Sequence, residues 1–296
     1  MKLRQTILAM LFLLTSGAAA LADSLVLVQG YLGDAGSWRL SGVTAALNAA
    51  GWRDGGHLGL GPRGVFRQGY GAQAKQRFYT IDLPTEAPVQ AQAGMLGRYL
   101  DYIAARHKGE KTYIAGHSAG GVVARYHLVR AGAARLEAEA VTALITIASP
   151  HLGTDAAETG LAVGQSPLSM FTPLFGGSTI NRSQQLYSEL VRERPGSMLG
   201  WLNRQPHPTI GYYSIVRRGN PGEIVPQWSQ DMNHVVALRG RSKLLLTPPG
   251  HGLRADDGRL IANILRDFRS NVQARRQQSY PRGIRVKPSR TFPALT

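Results

Sequence analysis

The chain has 296 residues, with 34 Lys+Arg against 18 Asp+Glu for a formal charge of +16, and 43% of it is hydrophobic. That length suits one large α/β domain or two average ones, and the apolar share supports a core, which excludes wholesale disorder. The absence of cysteine excludes disulfides, iron–sulfur clusters, thiolate zinc sites and a cysteine nucleophile; the eight histidines include no H-E-x-x-H pair, so no zincin-type metal site is expected.

The chain opens on Met1-Lys2-Leu3-Arg4, an apolar run from Thr6 to Leu14, and Ala20-Leu21-Ala22 before Asp23. A basic start, an apolar middle and a small-x-small ending predict a secretory signal peptide over residues 1–22, cleaved before Asp23. The apolar middle is short for a bilayer span of ~20 residues. Loss of Lys2 and Arg4 leaves a charge of +14. The expected location is therefore the bacterial periplasm or the medium, where a cysteine-free chain needs no oxidative folding.

Residues 23–276 form the expected folded domain. Leu25-Val26-Leu27-Val28 is a continuous apolar run, the pattern of a strand buried on both faces. Residues 41–50 look helical, stopped by Gly51. Residues 53–71 hold seven glycines without a phosphate-loop pattern and are expected to be a long surface loop. Strands are expected at 78–81, 111–115, 141–148, 210–216 and 242–247. Helices are expected at 89–106 and 119–131, with a last one starting at Asp256 or Asp257 and running through Leu260, Ile264 and Phe268. About six strands alternating with helices predict a mostly parallel sheet covered by helices on both faces. Residues 152–208 interrupt the pattern and are expected to form a cap or lid over the active edge. Apolar residues there, from Leu161 and Val163 to Phe171 and Phe175, would line an acyl pocket or form the insertion's own core. From Ser270 to Thr296 no residue is acidic and six are basic, so residues 277–296 are expected to be a basic, flexible tail. Such a tail is either simply solvated or drawn to an anionic membrane or lipopolysaccharide surface; export disfavours nucleic acid as the main partner.

Gly116-His117-Ser118-Ala119-Gly120 matches G-x-S-x-G between a strand-like run and a helix-like run. That context is the one in which a serine is presented on a sharp strand-to-helix turn. A serine hydroxyl is a poor nucleophile near neutral pH and needs a base.

With Gly30-Tyr31-Leu32-Gly33 after the first strand, Ser149-Pro150-His151-Leu152-Gly153-Thr154 after the strand that follows the nucleophile helix, and a late Gly250-His251-Gly252, the chain resembles the α/β-hydrolases, and among them the secreted bacterial lipases and carboxylesterases. The similarity spans most of residues 25–264. It implies the α/β-hydrolase fold, a serine hydrolase acting on carboxylic esters, lipid esters first among them, and no cofactor. A thioesterase or amidase on the same residues, or a catalytically silent binding protein, are the rival readings.

The resemblance also implies roles. Ser118 would be the nucleophile and His251, in the loop before the last helix, the base. The family's usual Asp position aligns with Gly222 in Asn220-Pro221-Gly222-Glu223-Ile224-Val225-Pro226, so the acid is expected to be Glu223, with Asp231 as the rival. Backbone N–H groups of Tyr31 and Ala119 would form the oxyanion hole. Gln29 stands where these lipases usually carry histidine, which leaves open how the oxyanion loop is held.

Overall fold

Asp23–Val28 forms β1, the centre of an eight-stranded sheet in the order β3-β2-β4-β1-β5-β6-β7-β8. The computed structural model describes residues 22–69, 74–132, 135, 137, 139–165, 178–219 and 223–279. The other strands are β2 (Arg53–Gly61), β3 (Gly64–Gln68), β4 (Gln76–Ile81), β5 (Lys111–His117), β6 (Val141–Ile147), β7 (Gly211–Arg217) and β8 (Ser242–Thr247). All neighbours pair in parallel except β2 and β3.

The apolar run of β1 is buried throughout because both of its faces are covered. Leu25 and Leu27 point into one core with Trp38, Leu47, Trp52, Ile261 and Leu265. Val26 and Val28 point into the other with Leu96, Leu100, Val122 and Val123. The first core lies under α1 (Ala35–Leu40), α2 (Val43–Ala49) and the last helix; the second lies under α3 (Val89–Arg106) and α4 (Ala119–Arg130). Each fully buried Leu, Ile or Val stabilises the fold by about 1.5–3 kcal/mol relative to exposure.

Residues 53–69 are not a surface loop. They form the antiparallel hairpin β2–β3 on the sheet edge, paired from His57↔Gln68 to Gly61↔Gly64. The glycines hid it: alternation needs side chains, and here Phe66 lies across the flat strip left by Gly59, where a Cβ would sit 2.6 Å from the ring. Leu58 is the buried residue that anchors the hairpin.

The segment between β6 and β7 carries α5 (Asp155–Gln165), α6 (Ser178–Arg182), α7 (Gln184–Leu190) and α8 (Met198–Leu202). It rests on the carboxyl-terminal side of the sheet: Val89 N–H donates to Glu189 at 2.6 Å and Arg182 donates to Glu86 at 2.8 and 2.9 Å. Of the apolar residues expected to line it, Leu161 is half-buried and Val163 is 38% exposed; those from Leu168 to Phe175 lie outside the described residues.

A short helix α9 (Gln227–Gln230) follows β7, and α10 (Ala255–Ser279) closes the chain's described part, three residues beyond the expected end at Arg276. The expected signal peptide, apart from Ala22, and the tail from 280 onward lie outside the described residues. Among the described residues no helix is long and apolar enough to cross a membrane.

Candidate active site

Parallel strands deliver their carboxyl-terminal ends to one edge, and the loops after β1, β5, β7 and β8 meet there. β5 ends at His117 and α4 begins at Ala119, leaving Ser118 alone between them with φ 51° and ψ −130°. A positive φ is unusual for a residue with a Cβ and costs of order 1–3 kcal/mol. The surroundings enforce it: Ser118 N–H donates to Ile147 O at 2.9 Å and Gly121 N–H to Ser118 O at 3.0 Å. A Cβ on Gly120 would run into the carbonyl of Gln29, so only glycine lets α4 approach β1 this closely.

His251 Nε2 lies 2.9 Å from Ser118 Oγ, across 133 residues of sequence. The His251 imidazole is pushed down to about 4, first by burial and then by His117 and Arg217. A neutral ring is what a proton acceptor requires.

The loop that carries His251 is tied at its backbone. His117 Nε2 donates to His251 O at 2.9 Å, and Arg217 Nη2 donates to Gly252 O at 3.1 Å. Arg217, at the end of β7, is itself fixed by a two-pronged pair with Asp257 of α10 at 2.8 and 2.7 Å, both side chains buried. Asp257 also accepts from Arg254 N–H at 2.8 Å, so this acid, rather than Asp256, holds the start of the helix.

Neither expected acid touches the imidazole. Glu223 lines a recess of about 200 Å³ together with His251, Arg217 and Gly250, but its carboxylate accepts from Gln227 N–H at 3.0 Å and so caps α9. Asp231 accepts from Asn233 N–H at 2.9 Å and from Asn233 Nδ2 at 3.0 Å, capping the turn Met232–His234. Among the described residues no carboxylate hydrogen-bonds the His251 ring. Both carboxylates sit where a free backbone N–H is close in sequence, and such local bonds compete with longer-range partners.

The two expected oxyanion donors flank Ser118. Ala119 opens α4, where the first N–H groups have no partner within the helix. Gly30 packs so closely on the nucleophile that a Cβ there would stand 2.7 Å from Ser118 Cβ, which brings Tyr31 beside it. Among the described residues neither the Tyr31 nor the Ala119 N–H is engaged. Gln29 offers a way to hold the loop without histidine: with its buried amide turned so that nitrogen faces the acceptor and oxygen the donor, it donates to Ile81 O at 3.0 Å and accepts from Leu83 N–H at 2.8 Å.

The other histidines are occupied elsewhere. His151 is wholly buried, bonded through Nε2 to Thr146 Oγ1 at 3.1 Å, and held well below the ordinary imidazole range by burial and by Arg125. His127 pairs with Glu139 at 2.8 Å, and His207 Nδ1 donates to Gln205 O at 2.8 Å. Sequence reasoning missed His117 and Arg217 as supports of the His251 loop; the motif names His117 only as the variable position, and nothing links Arg217 to Asp257 short of the fold. Among the described residues no cluster of three or more His, Asp or Glu is arranged to hold a metal ion.

A mostly parallel sheet with a serine on a left-handed turn at its carboxyl edge, met by a histidine from the loop after the last strand, is the α/β-hydrolase fold, and this chain has it. A family model described as "Putative serine esterase (DUF676)" matches residues 84–202, which include Ser118 but end before His251. Among solved structures, the mature form of the Bacillus licheniformis lipase BlEst2 is similar at 16% identity and a TM-score of 0.54, over 83% of this chain and 92% of that one. A structure titled "putative cell surface hydrolase" from Lactobacillus plantarum is similar at 17% identity and a TM-score of 0.52, over 84% and 92%. A gene product of Listeria innocua is similar at 15% identity and a TM-score of 0.52, over 77% and 84%. No curated protein matches the chain. The family match and the fold support an esterase- or lipase-like hydrolase.

Proposed function

We propose that the chain is an exported serine hydrolase that cleaves carboxylic esters, lipid esters in particular, through an acyl-enzyme on Ser118. The observation that carries the reading is the 2.9 Å contact between His251 Nε2 and Ser118 Oγ on the left-handed turn. In the first half-reaction His251 takes the Ser118 proton as Oγ attacks the ester carbon. The oxyanion is met by the N–H groups of Tyr31 and Ala119. Collapse breaks the C–O bond, and His251 returns the proton to the leaving alcohol. Water then repeats the sequence, losing its proton to His251 and releasing the acid. Glu223 is the proposed acid. It lines the same recess as His251, and to reach the imidazole its carboxylate would leave Gln227 N–H.

A fluorophosphonate probe tests this directly: wild-type protein becomes labelled and Ser118→Ala does not. Turnover of p-nitrophenyl esters of graded chain length then ranks acyl preference and separates esters from thioesters and amides. The imidazole without a carboxylate favours one rival, a catalytically silent hydrolase-like protein; a wild-type chain that neither labels nor turns over esters would establish that rival.

Export belongs to the same proposal. Cleavage before Asp23 would leave the whole of β1 intact, since the strand begins at that residue. The charge of +14 after cleavage favours approach to anionic phospholipid or lipopolysaccharide.

A further inference from the structure

The chain leaves β1 through a tight turn, Gly30 to Gly33, closed by the Gly33 N–H donating to Gly30 O at 2.9 Å. Its third residue, Leu32, has φ 56°, which any residue with a Cβ resists. Leu32 is 61% exposed, so its own side chain does little to hold the turn. The Tyr31 side chain does. Its hydroxyl donates to Ser183 Oγ at 3.1 Å and meets the Tyr187 hydroxyl at 2.5 Å, where Tyr187 is left to donate. The two rings meet edge to face with centroids 5.5 Å apart. Ser183 and Tyr187 belong to the start and body of α7, in the segment between β6 and β7, and Ser183 is fully buried.

We propose that Tyr31 is a positioning residue whose side chain, clamped by Ser183 and Tyr187, sets its own backbone N–H at the oxyanion position beside Ser118. The role rests on the ester-hydrolase reading. It makes the seating of α7 and the assembly of the oxyanion hole one event. When α7 is in place the strained turn is fixed; when α7 moves away, the turn loses the tether that opposes its strain and the N–H no longer aims at the reacting oxygen. A backbone donor thereby answers to the segment between β6 and β7 through the Tyr31 side chain.

Tyr31→Phe and Tyr187→Phe each remove one hydroxyl and keep the ring. Losing an oxyanion donor outright costs ~10²–10³ in kcat, and loosening one costs less, so each variant of the full chain should lose about tenfold in kcat on p-nitrophenyl butyrate with KM held within about twofold. Fluorophosphonate labelling should slow in parallel, because the phosphonyl oxygen enters the same hole. The double variant should be no slower than the slower single one, since both remove the same clamp. Hydrogen exchange at residues 31–33 should quicken in Tyr187→Phe, a readout that needs no activity. Unchanged kcat, a rise confined to KM, strictly additive losses or unaltered exchange would each overturn the clamp while leaving the hydrolase reading standing. A wild-type chain inert to both ester and phosphonate would instead sink that reading, and this role with it.

Discussion

His251, the proposed base, has an unusual set of neighbours. Serine hydrolases of this architecture generally place a carboxylate on the far ring nitrogen, which raises the imidazole's affinity for a proton. Here burial, His117 and Arg217 all act the other way and push it down to about 4. kcat/KM reports the free enzyme's essential groups, so its acid limb should fall well below the ordinary imidazole value of 6.5, toward about 4. A midpoint at or above 6.5 would mean that a carboxylate already sits on Nδ1 in the free enzyme. Glu223→Gln should lower kcat by about tenfold or more, up to the ~10⁴ of a serine triad that loses its acid, with little change in melting temperature. Asp231→Asn should leave kcat within a factor of about three and stability nearly unchanged, because the amide oxygen still accepts from Asn233 N–H and Asn caps about as well as Asp. The reverse outcome would transfer the acid's role to Asp231. The meeting of Ser118 and His251 was legible because a turn that needs glycines writes them into the sequence, and because loop order along the sheet follows chain order. The contacts of the expected acid were not legible: Glu223 is held by a local cap, and a bond to a nearby backbone N–H leaves no motif in the sequence.

At the scale of elements, the loop bearing His251 is tied by a pair that no motif predicts. Arg217 ends β7, Asp257 begins α10, and their buried ion pair also reaches the Thr247 hydroxyl at 3.0 Å and the Gly252 carbonyl. Removing one partner of a buried pair leaves the other charge uncompensated, at a cost of about 3–5 kcal/mol, whereas replacing both with apolar residues of similar size is often near neutral. Arg217→Met and Asp257→Leu should therefore each destabilise the protein strongly in urea titration, and the double variant should recover most of the loss. If the double variant retains stability yet loses kcat, the pair also positions the loop; singles no less stable than wild type would show that the pair is solvated in solution. The parallel strands were legible because burial on both faces leaves unbroken apolar runs, as in Leu25–Val28. The β2–β3 hairpin was not, because its close approach to Phe66 and Tyr79 is made by glycines, which carry no hydropathy signal.

For the whole molecule the governing quantity is charge. With residues 1–22 removed, as proposed, the chain would carry +14, and residues 280–296 contribute four of those charges with no acid among them. These four lie beyond α10, which starts beside the His251 loop and runs 25 residues away from it. We assign these residues no part in proton transfer at Ser118; their charge adds to the field that an anionic surface meets. Near such a surface each basic residue contributes up to about 1 kcal/mol, and the contribution falls off within a Debye length. Truncation after Ser279 should therefore leave kcat and KM on a soluble short-chain ester unchanged. It should weaken binding to vesicles containing phosphatidylglycerol, and the difference from the full chain should shrink as salt rises from ~0.05 to ~0.5 M. Vesicle binding that is unaltered by truncation would assign the attraction to the folded body, whose ten remaining net positive charges are then sufficient. Loss of soluble-ester turnover would show instead that the segment braces α10, and through Asp257 the base itself.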